Sequence, residues 1–393
     1  MSTDLLNPTA HSFSSQHMNN LFEIPSNVTY LNCANMAPQL RAVTEAGLAA
    51  VRGKASPWKL SAPEWFSGAE ELRSLAAQLL GVETDGVALI PAVSYGIAVA
   101  AANIPVAKNQ SIVLLDQEFP SNVYAWRELA RRTGAQLITV KRAAAESWTD
   151  ALEPAITGNT AVVAVGQCHW TDGAKIDLER VGNRARELGA ALVVDSSQSL
   201  GACPLDIARV QPDFLVSVGY KWLLGPYGLG YLYVARKWRH AVPIEQSWLT
   251  RSGSEDFARL VEYRDDYRPG ARRFDMGEFP QFVLAPMART ALQQILSWGI
   301  PQINGSLTAI TEAIAQHASN EGFTVLPTGQ RCGQMIGIRH RSNIPDELPK
   351  VLRESEIYVS IRGDSIRISP HLYNTQNDVT RLFAVLRRAY SRS

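Results

Sequence analysis

The chain has 393 residues, more than a single small core needs and enough for one large domain plus a smaller one. With 46% hydrophobic and 19% charged residues, it has the material for a buried core and lacks the composition of a disordered chain. Lys plus Arg (38) nearly balance Asp plus Glu (37), so no broad basic footprint points to nucleic acid.

In chain order, residues 1–30 read as an N-terminal arm whose polar first part has no clear pattern and suits a mobile arm or lid. MSTDLLNPTAHSFSSQ lacks the charged start and apolar stretch of a signal peptide. No apolar run reaches the roughly 18–20 residues of a membrane helix. The expectation is a soluble cytoplasmic protein with no membrane partner. Cys33, Cys168, Cys203 and Cys332 form no CxxC pair and no zinc spacing, so they predict free or buried thiols in a reducing compartment and no metal.

Residues 31–260 form the predicted large domain. Its apolar runs are VALIP (87–91), SIVLLD (111–116), QLITV (136–140), AVVAVG (161–166), ALVVD (191–195), DFLVSV (213–218) and LGYLYV (229–234). Unalternated Val, Ile and Leu suit strands covered on both faces. Helical periodicity fills the gaps, as at 122–132 and 178–188. The fold class is therefore α/β, a mostly parallel seven-stranded sheet covered by helices. Residues 261–393 predict a smaller α+β C-terminal domain, with part of the N-terminal segment packing beside it. It opens with the charged loop RDDYRPGARRF and continues with helical patterns at 284–298 and 303–320. The short strands GFTVL, GQMIGIR, IYVSIRG and SIRIS follow, then a closing helix at 376–390. No internal repeat or low-complexity tract is present.

The chemistry concentrates in 191–234. Asp195 ends an apolar strand, and ligands of open α/β sheets bind beyond such ends. Lys221 follows the next apolar strand and precedes GPYGLG. Alone, Asp195 could cap a turn and Lys221 could be a solvated surface lysine. Tyr220 and Trp222 flank the lysine, which predicts desolvation, a lowered pKa and a neutral amine able to form a Schiff base. A buried carboxylate beside it calls for a cation. Pyridoxal 5′-phosphate offers both partners, an aldehyde for Lys221 and a protonated pyridine nitrogen for Asp195. For the phosphate, PAVSYGIAVAAANI (91–104) places Ser94, Tyr95 and Gly96 at a helix start, with Ser217 or Tyr220 as further donors. Ser94 could equally be a plain N-cap.

These segments resemble the class V aminotransferase family of fold type I pyridoxal phosphate enzymes, which includes cysteine desulfurases, kynureninase, isopenicillin N epimerase and C–S lyases. The likeness runs through YLNCANMAP (30–38), QEFPSNVYAW (117–126), VVDSSQ (193–198), SVGYKWLLGPYGLGYLYV (217–234) and SIRISPHLYNTQNDV (365–379). It implies that Lys221 holds the cofactor and moves the Cα proton, that Asp195 grips the ring nitrogen and that Gln198 reaches the ring oxygen. By the same likeness Phe119 stacks on the ring, Ser94, Tyr95, Gly96 and Ser217 or Tyr220 face the phosphate, and Arg367 binds the substrate carboxylate. As residues alone, Phe119 could be ordinary core and Arg367 half of a structural salt bridge.

The chain also departs from the family pattern. YVSIRGDS, before the arginine motif, has no cysteine, which argues against persulfide-forming desulfuration, and Cys332 is too far upstream to substitute. Trp170 stands where many relatives have asparagine, with a structural His169 beside it. Gly277-Glu278 replaces a Gly-Thr pair that would contact the partner chain's phosphate, leaving Glu278, Arg272 or Arg273 in question. The resemblance implies a homodimer and an amino-acid substrate bound as an external aldimine. Side-chain β-cleavage (C–S or C–C) is the leading expectation, with transamination, epimerisation and a cofactor-free binding module as alternatives.

Overall fold

The computed structural model describes residues 18–143 and 146–391, so most of the expected N-terminal arm lies outside the described residues. The described chain opens with β1 (Thr29–Tyr30), α1 (Arg41–Gly53), α2 (Glu64–Leu80), β2 (Val87–Ile90) and α3 (Val93–Asn103). It continues through β3 (Ser111–Leu115), α4 (Tyr124–Thr133), β4 (Gln136–Val140), β5 (Thr160–Gly166) and α5 (Leu178–Glu187). Next come β6 (Ala191–Asp195), β7 (Phe214–Val218), β8 (Gly230–Val234), α6 (Leu284–Trp298) and α7 (Ile300–Asn320). The small sheet takes β9 (Phe323–Val325), β10 (Ile336–His340), β12 (Ser360–Arg362) and β13 (Ser365–Ile368); β11 (Ile357–Tyr358) precedes the hairpin, and α8 (Gln376–Tyr390) closes the chain.

The seven-stranded sheet runs β2-β8-β7-β6-β5-β3-β4. β8 runs antiparallel to both of its neighbours, β2 and β7, and every other pair in the sheet is parallel. Every residue of β2, β3, β5, β6 and β7 is buried, which is why these strands read as continuous apolar runs. The period of two still operates: Val87 and Leu89 join the core layer of α2, α5 and α6, while Ala88 and Ile90 join that of α3 and α4. Gly96 lets α3 approach this second face, since a Cβ there would lie 2.5 Å from Val216 Cγ1.

One buried ion pair locks α2 to the sheet edge. Arg73 donates to Asp275 at 3.0 and 2.7 Å and to the Val87 carbonyl at 2.6 Å, while Leu89 N–H donates to Asp275 at 2.7 Å. The antiparallel sheet β12-β13-β10-β9 packs with α7 and α8. The N-terminal segment is stitched to this part of the chain: β1 pairs in parallel with β11, and Asn32 bridges Ser369. Among the described residues no helix is long and apolar enough to cross a membrane.

Candidate active site

A cavity of about 260 Å³ opens beyond the carboxyl ends of β2, β5, β6 and β7, where an open α/β sheet places its ligand. A wider groove of about 1020 Å³ runs past the opposite strand ends. Most of its charges pair there, Glu83 with Arg236 and Arg239 and Asp213 with Lys237, while Arg186 donates to Val210 O at 2.7 Å.

A tight turn aims Lys221 into the smaller cavity. Gly219 N–H donates to Leu229 O and Gly225 N–H to Gly219 O, both at 2.9 Å. A Cβ on Gly219 would sit 2.7 Å from Leu229 O, so the turn excludes side chains there. Leu224 closes it at φ +55, a costly conformation for a branched residue, held by complete burial. Lys221 is 6% exposed, with Nζ 5.3 Å from the centre of the Phe119 ring and 5.8 Å from that of Tyr220. Burial lowers the amine to about 8, against the attraction of Asp195; Arg367 and Arg362 push in the same direction as burial.

Asp195 is the last residue of β6, and its Oδ1 accepts from Ser197 N–H at 2.9 Å. Burial raises its pKa, while Ser197 and Lys221 pull it back. No salt bridge engages it among the described residues, so a cationic ring nitrogen meets an unfilled need. Gln198 lines the same cavity; its Oε1 accepts from Trp222 Nε1 at 3.2 Å and its Nε2 donates to Ala34 O at 3.1 Å, leaving a second amide hydrogen free. Phe119 forms a wall and meets Trp170 edge to face at 5.5 Å.

The expected phosphate residues divide. Ser94, exposed in the first turn of α3, and Tyr220 both line the cavity. Tyr95, Gly96 and Ser217 are not among the residues that line it. Tyr95 hydroxyl donates to the Asp275 carbonyl at 3.4 Å, and the amides of Tyr95 and Gly96 both bond Ala92 O. Ser217 lies within β7 and its hydroxyl donates to Val218 O at 3.3 Å. A helix turns 100° per residue and a strand reverses at each step, so neighbours of a good donor point elsewhere.

Arg367 on β13 is 1% exposed, and no ion pair engages it among the described residues. Its Nη1 donates to Trp170 O at 2.7 Å and its Nη2 to Ser360 Oγ at 3.3 Å, while Nε has no acceptor among the described residues. Burial pushes the guanidinium down to about 9, with Arg362 adding to the effect. The salt-bridge alternative for this residue is thereby excluded among the described residues. His169 uses both ring nitrogens, on Thr171 at 2.7 Å and on Asp116 O at 3.1 Å, and stacks on Trp148. Arg272 is taken by Glu70 at 2.7 Å and Asp85 at 2.5 Å of its own chain; Arg273 donates to Ala241 O at 3.3 Å, and Glu278 is exposed. Cys332 is buried and its thiol faces Gln167 O at 3.6 Å.

One residue escaped the sequence reading. Glu118 lines the cavity beside Asp195, and burial raises its carboxyl to about 8, with the Phe119 amide (2.6 Å) opposing. The only local signal was a carboxylate immediately before the stacking aromatic.

Residues 55–382 match the family described as "Aminotransferase class-V". Among curated proteins, an uncharacterized aminotransferase, YcbU of Bacillus subtilis, is 27% identical over 327 residues, 83% of this chain and 84% of that one. A probable cysteine desulfurase of Pyrococcus abyssi is 30% identical over 341 residues, 81% and 82% of the two chains. Among solved structures, the cystine C–S lyase C-DES, in complex with cysteine persulfide, superposes with a TM-score of 0.82 at 20% identity, covering 92% of this chain and 98% of that one. At that identity the superposition speaks for the fold.

Proposed function

The chain belongs to the class V aminotransferase family and is a pyridoxal phosphate-dependent enzyme, and from that premise we propose that it cleaves the side chain of an α-amino acid at the β position. One observation carries the reading: a buried amine of lowered pKa faces Phe119 in the cavity wall, and a buried guanidinium, with no carboxylate partner among the described residues, is held behind that wall by the carbonyl of Trp170, the neighbour of Phe119. The first suits an aldehyde, the second a substrate carboxylate.

When bound, pyridoxal phosphate supplies an aldehyde that condenses with amines and a ring that accepts electrons from the substrate's α carbon. In this reading Lys221 holds the aldehyde carbon, and Asp195 keeps the pyridine nitrogen protonated. Phe119 covers the ring, Gln198 donates its free amide hydrogen to the ring oxygen, and Ser94 with Tyr220 takes the phosphate. Arg367 clamps the α-carboxylate through its free Nε–H and a neighbouring N–H, which fixes the Cα–H bond relative to Lys221 Nζ. Because its pKa is near 8, that amine is partly neutral at physiological pH and can take the Cα proton and return it.

The choice of β-cleavage is supported by the hairpin before Arg367. β12 and β13 meet across Gly363-Asp364, with no cysteine between Tyr358 and Ile368 to receive a sulfur atom. A side chain expelled here would leave as a free product, as in the C–S lyase of similar fold. The aminotransferase relative favours a second reading, transfer of the amino group to a keto acid. By family likeness we place the enzyme in a homodimer, with 247–274 near the partner.

The reactions separate in one assay. The holoenzyme is incubated with cystine, cysteine conjugates, kynurenine and alanine, and keto acid and sulfide are measured with and without a keto-acid acceptor. Keto acid without acceptor is expected; keto acid strictly dependent on acceptor rejects the lyase reading. Borohydride should fix the cofactor on Lys221, and Lys221→Ala should lose at least about 10³-fold in rate.

A further inference from the structure

The hairpin that carries Arg367 presents more than an α-carboxylate requires. In its register Ser360 lies opposite Arg367 and Arg362 opposite Ser365, so these four side chains leave one face of the two strands. Three polar atoms on this face are buried without a partner among the described residues: Arg362 Nε, Ser365 Oγ and Arg367 Nε. The nearby carboxylates are already engaged. Asp172 faces Arg339 at 3.1 Å and Arg142 at 3.7 Å, and Asp364 faces Arg339 at 3.0 Å. Arg362 has no ion pair among the described residues, and its Nη1 reaches only its neighbour's carbonyl, Ile361 O, at 2.8 Å.

Arg362 reaches the candidate cavity through Trp170. Its guanidinium lies 5.5 Å from the centre of the Trp170 ring. Trp170 lines that cavity, its carbonyl accepts from Arg367, and its ring meets Phe119, which in turn faces Lys221. Lys221, Phe119, Trp170 and Arg362 thus form a continuous row leading from the amine to a second guanidinium. Two partly desolvated like charges on one hairpin face repel each other, and a single carboxylate would neutralise only one.

We infer that the substrate is an α-amino acid with a second anionic group on its side chain, the α-carboxylate lying on Arg367 and the side-chain acid on Arg362. This rests on the reading above that Arg367 takes the α-carboxylate. A planar guanidinium set on an indole face is pre-organised for such a group, which an uncharged side chain would leave unmatched.

The test is a calorimetric and spectral titration of the holoenzyme, following heat and the cofactor's visible band. Ligands are L-aspartate and L-glutamate against their uncharged isosteres L-asparagine and L-glutamine. We expect at least one acid to bind about tenfold or more tighter than its amide. Arg362→Gln should shrink that ratio below about threefold, and Arg362→Lys should restore part of it. Acids no tighter than amides, or an Arg362→Gln variant that weakens acid and amide equally, would overturn the inference. If none of the four ligands gives heat or a spectral change, the α-amino-acid reading itself fails, and this inference with it. An acid preference without β-cleavage products would leave the inference standing and reject only the reaction.

Discussion

Two arginines in this molecule are buried to the same depth and do opposite things. Arg73 is 0% exposed and Arg367 1%. Around Arg73 burial opposes the charge, but Asp275, with Glu70 assisting, offsets it and raises the pKa, and the Val87 carbonyl accepts a further hydrogen bond. Around Arg367 no carboxylate answers among the described residues, so burial lowers the pKa to about 9 and Nε has no partner among them. The first charge is complete within the fold and holds α2 to the sheet. The second is complete only when an anion arrives from outside. A buried charge becomes informative about function when its counter-ion is missing.

Breaking the completed pair should cost most. Asp275→Ala leaves the buried Arg73 with only its longer contact to Glu70 at 3.4 Å, and a loss of about 3–5 kcal/mol is expected in urea unfolding. The double variant Arg73→Met/Asp275→Leu should recover most of that loss. If it does not, the pair owes its effect to packing rather than to charge.

The mirror experiment is Arg367→Gln. Removal of an uncompensated cation should raise the unfolding midpoint slightly, while amino-acid binding weakens by about 100-fold, or ~3 kcal/mol. A fall in stability comparable to that of Asp275→Ala would erase the contrast. Calorimetric titration and thermal melts decide it.

Glu118 extends the comparison to an acid. Burial raises its pKa from the ordinary 4.5 to about 8. Below pH 4.5 the folded and unfolded chains both hold this proton, so the group is neutral to stability. Between 4.5 and 8 only the folded chain keeps it, so stability falls as pH rises, and above 8 the full penalty applies. Glu118→Gln should therefore gain nothing near pH 4.5 and several kcal/mol above pH 8, read as a melting-temperature difference across pH. A constant difference would reject the buried, protonated state.

The smallest effect separates two neighbours in α3. Gly96→Ala should cost about 1–2 kcal/mol of stability by pressing on Val216, with cofactor affinity little changed. Ser94→Ala should do the reverse, weakening cofactor retention in a dialysis assay with melts unaltered.

How far the sequence could be read follows from the range of each signal. Asp195 and Lys221 were legible because each sits at the end of an unbroken apolar run, and a run of that kind marks both the strand and the place where it ends. Tyr95, Gly96 and Ser217 do not line the cavity as Ser94 and Tyr220 do, because proximity in the chain says nothing about facing. Glu118 was passed over since a glutamate in a loop is solvated unless other elements cover it.

Composition and local pattern alone determined that this chain builds a doubly covered, mostly parallel sheet with a lysine and an acid at its working edge. Hydrophobic periodicity acts over a few residues and needs no partner to be visible. Which donors turn toward the cavity, which arginine meets a carboxylate and which is left without one were decided only by tertiary structure. Those properties depend on desolvation and pairing between segments far apart in the chain, such as Arg73 with Asp275 or Trp170 with Arg362 and Arg367.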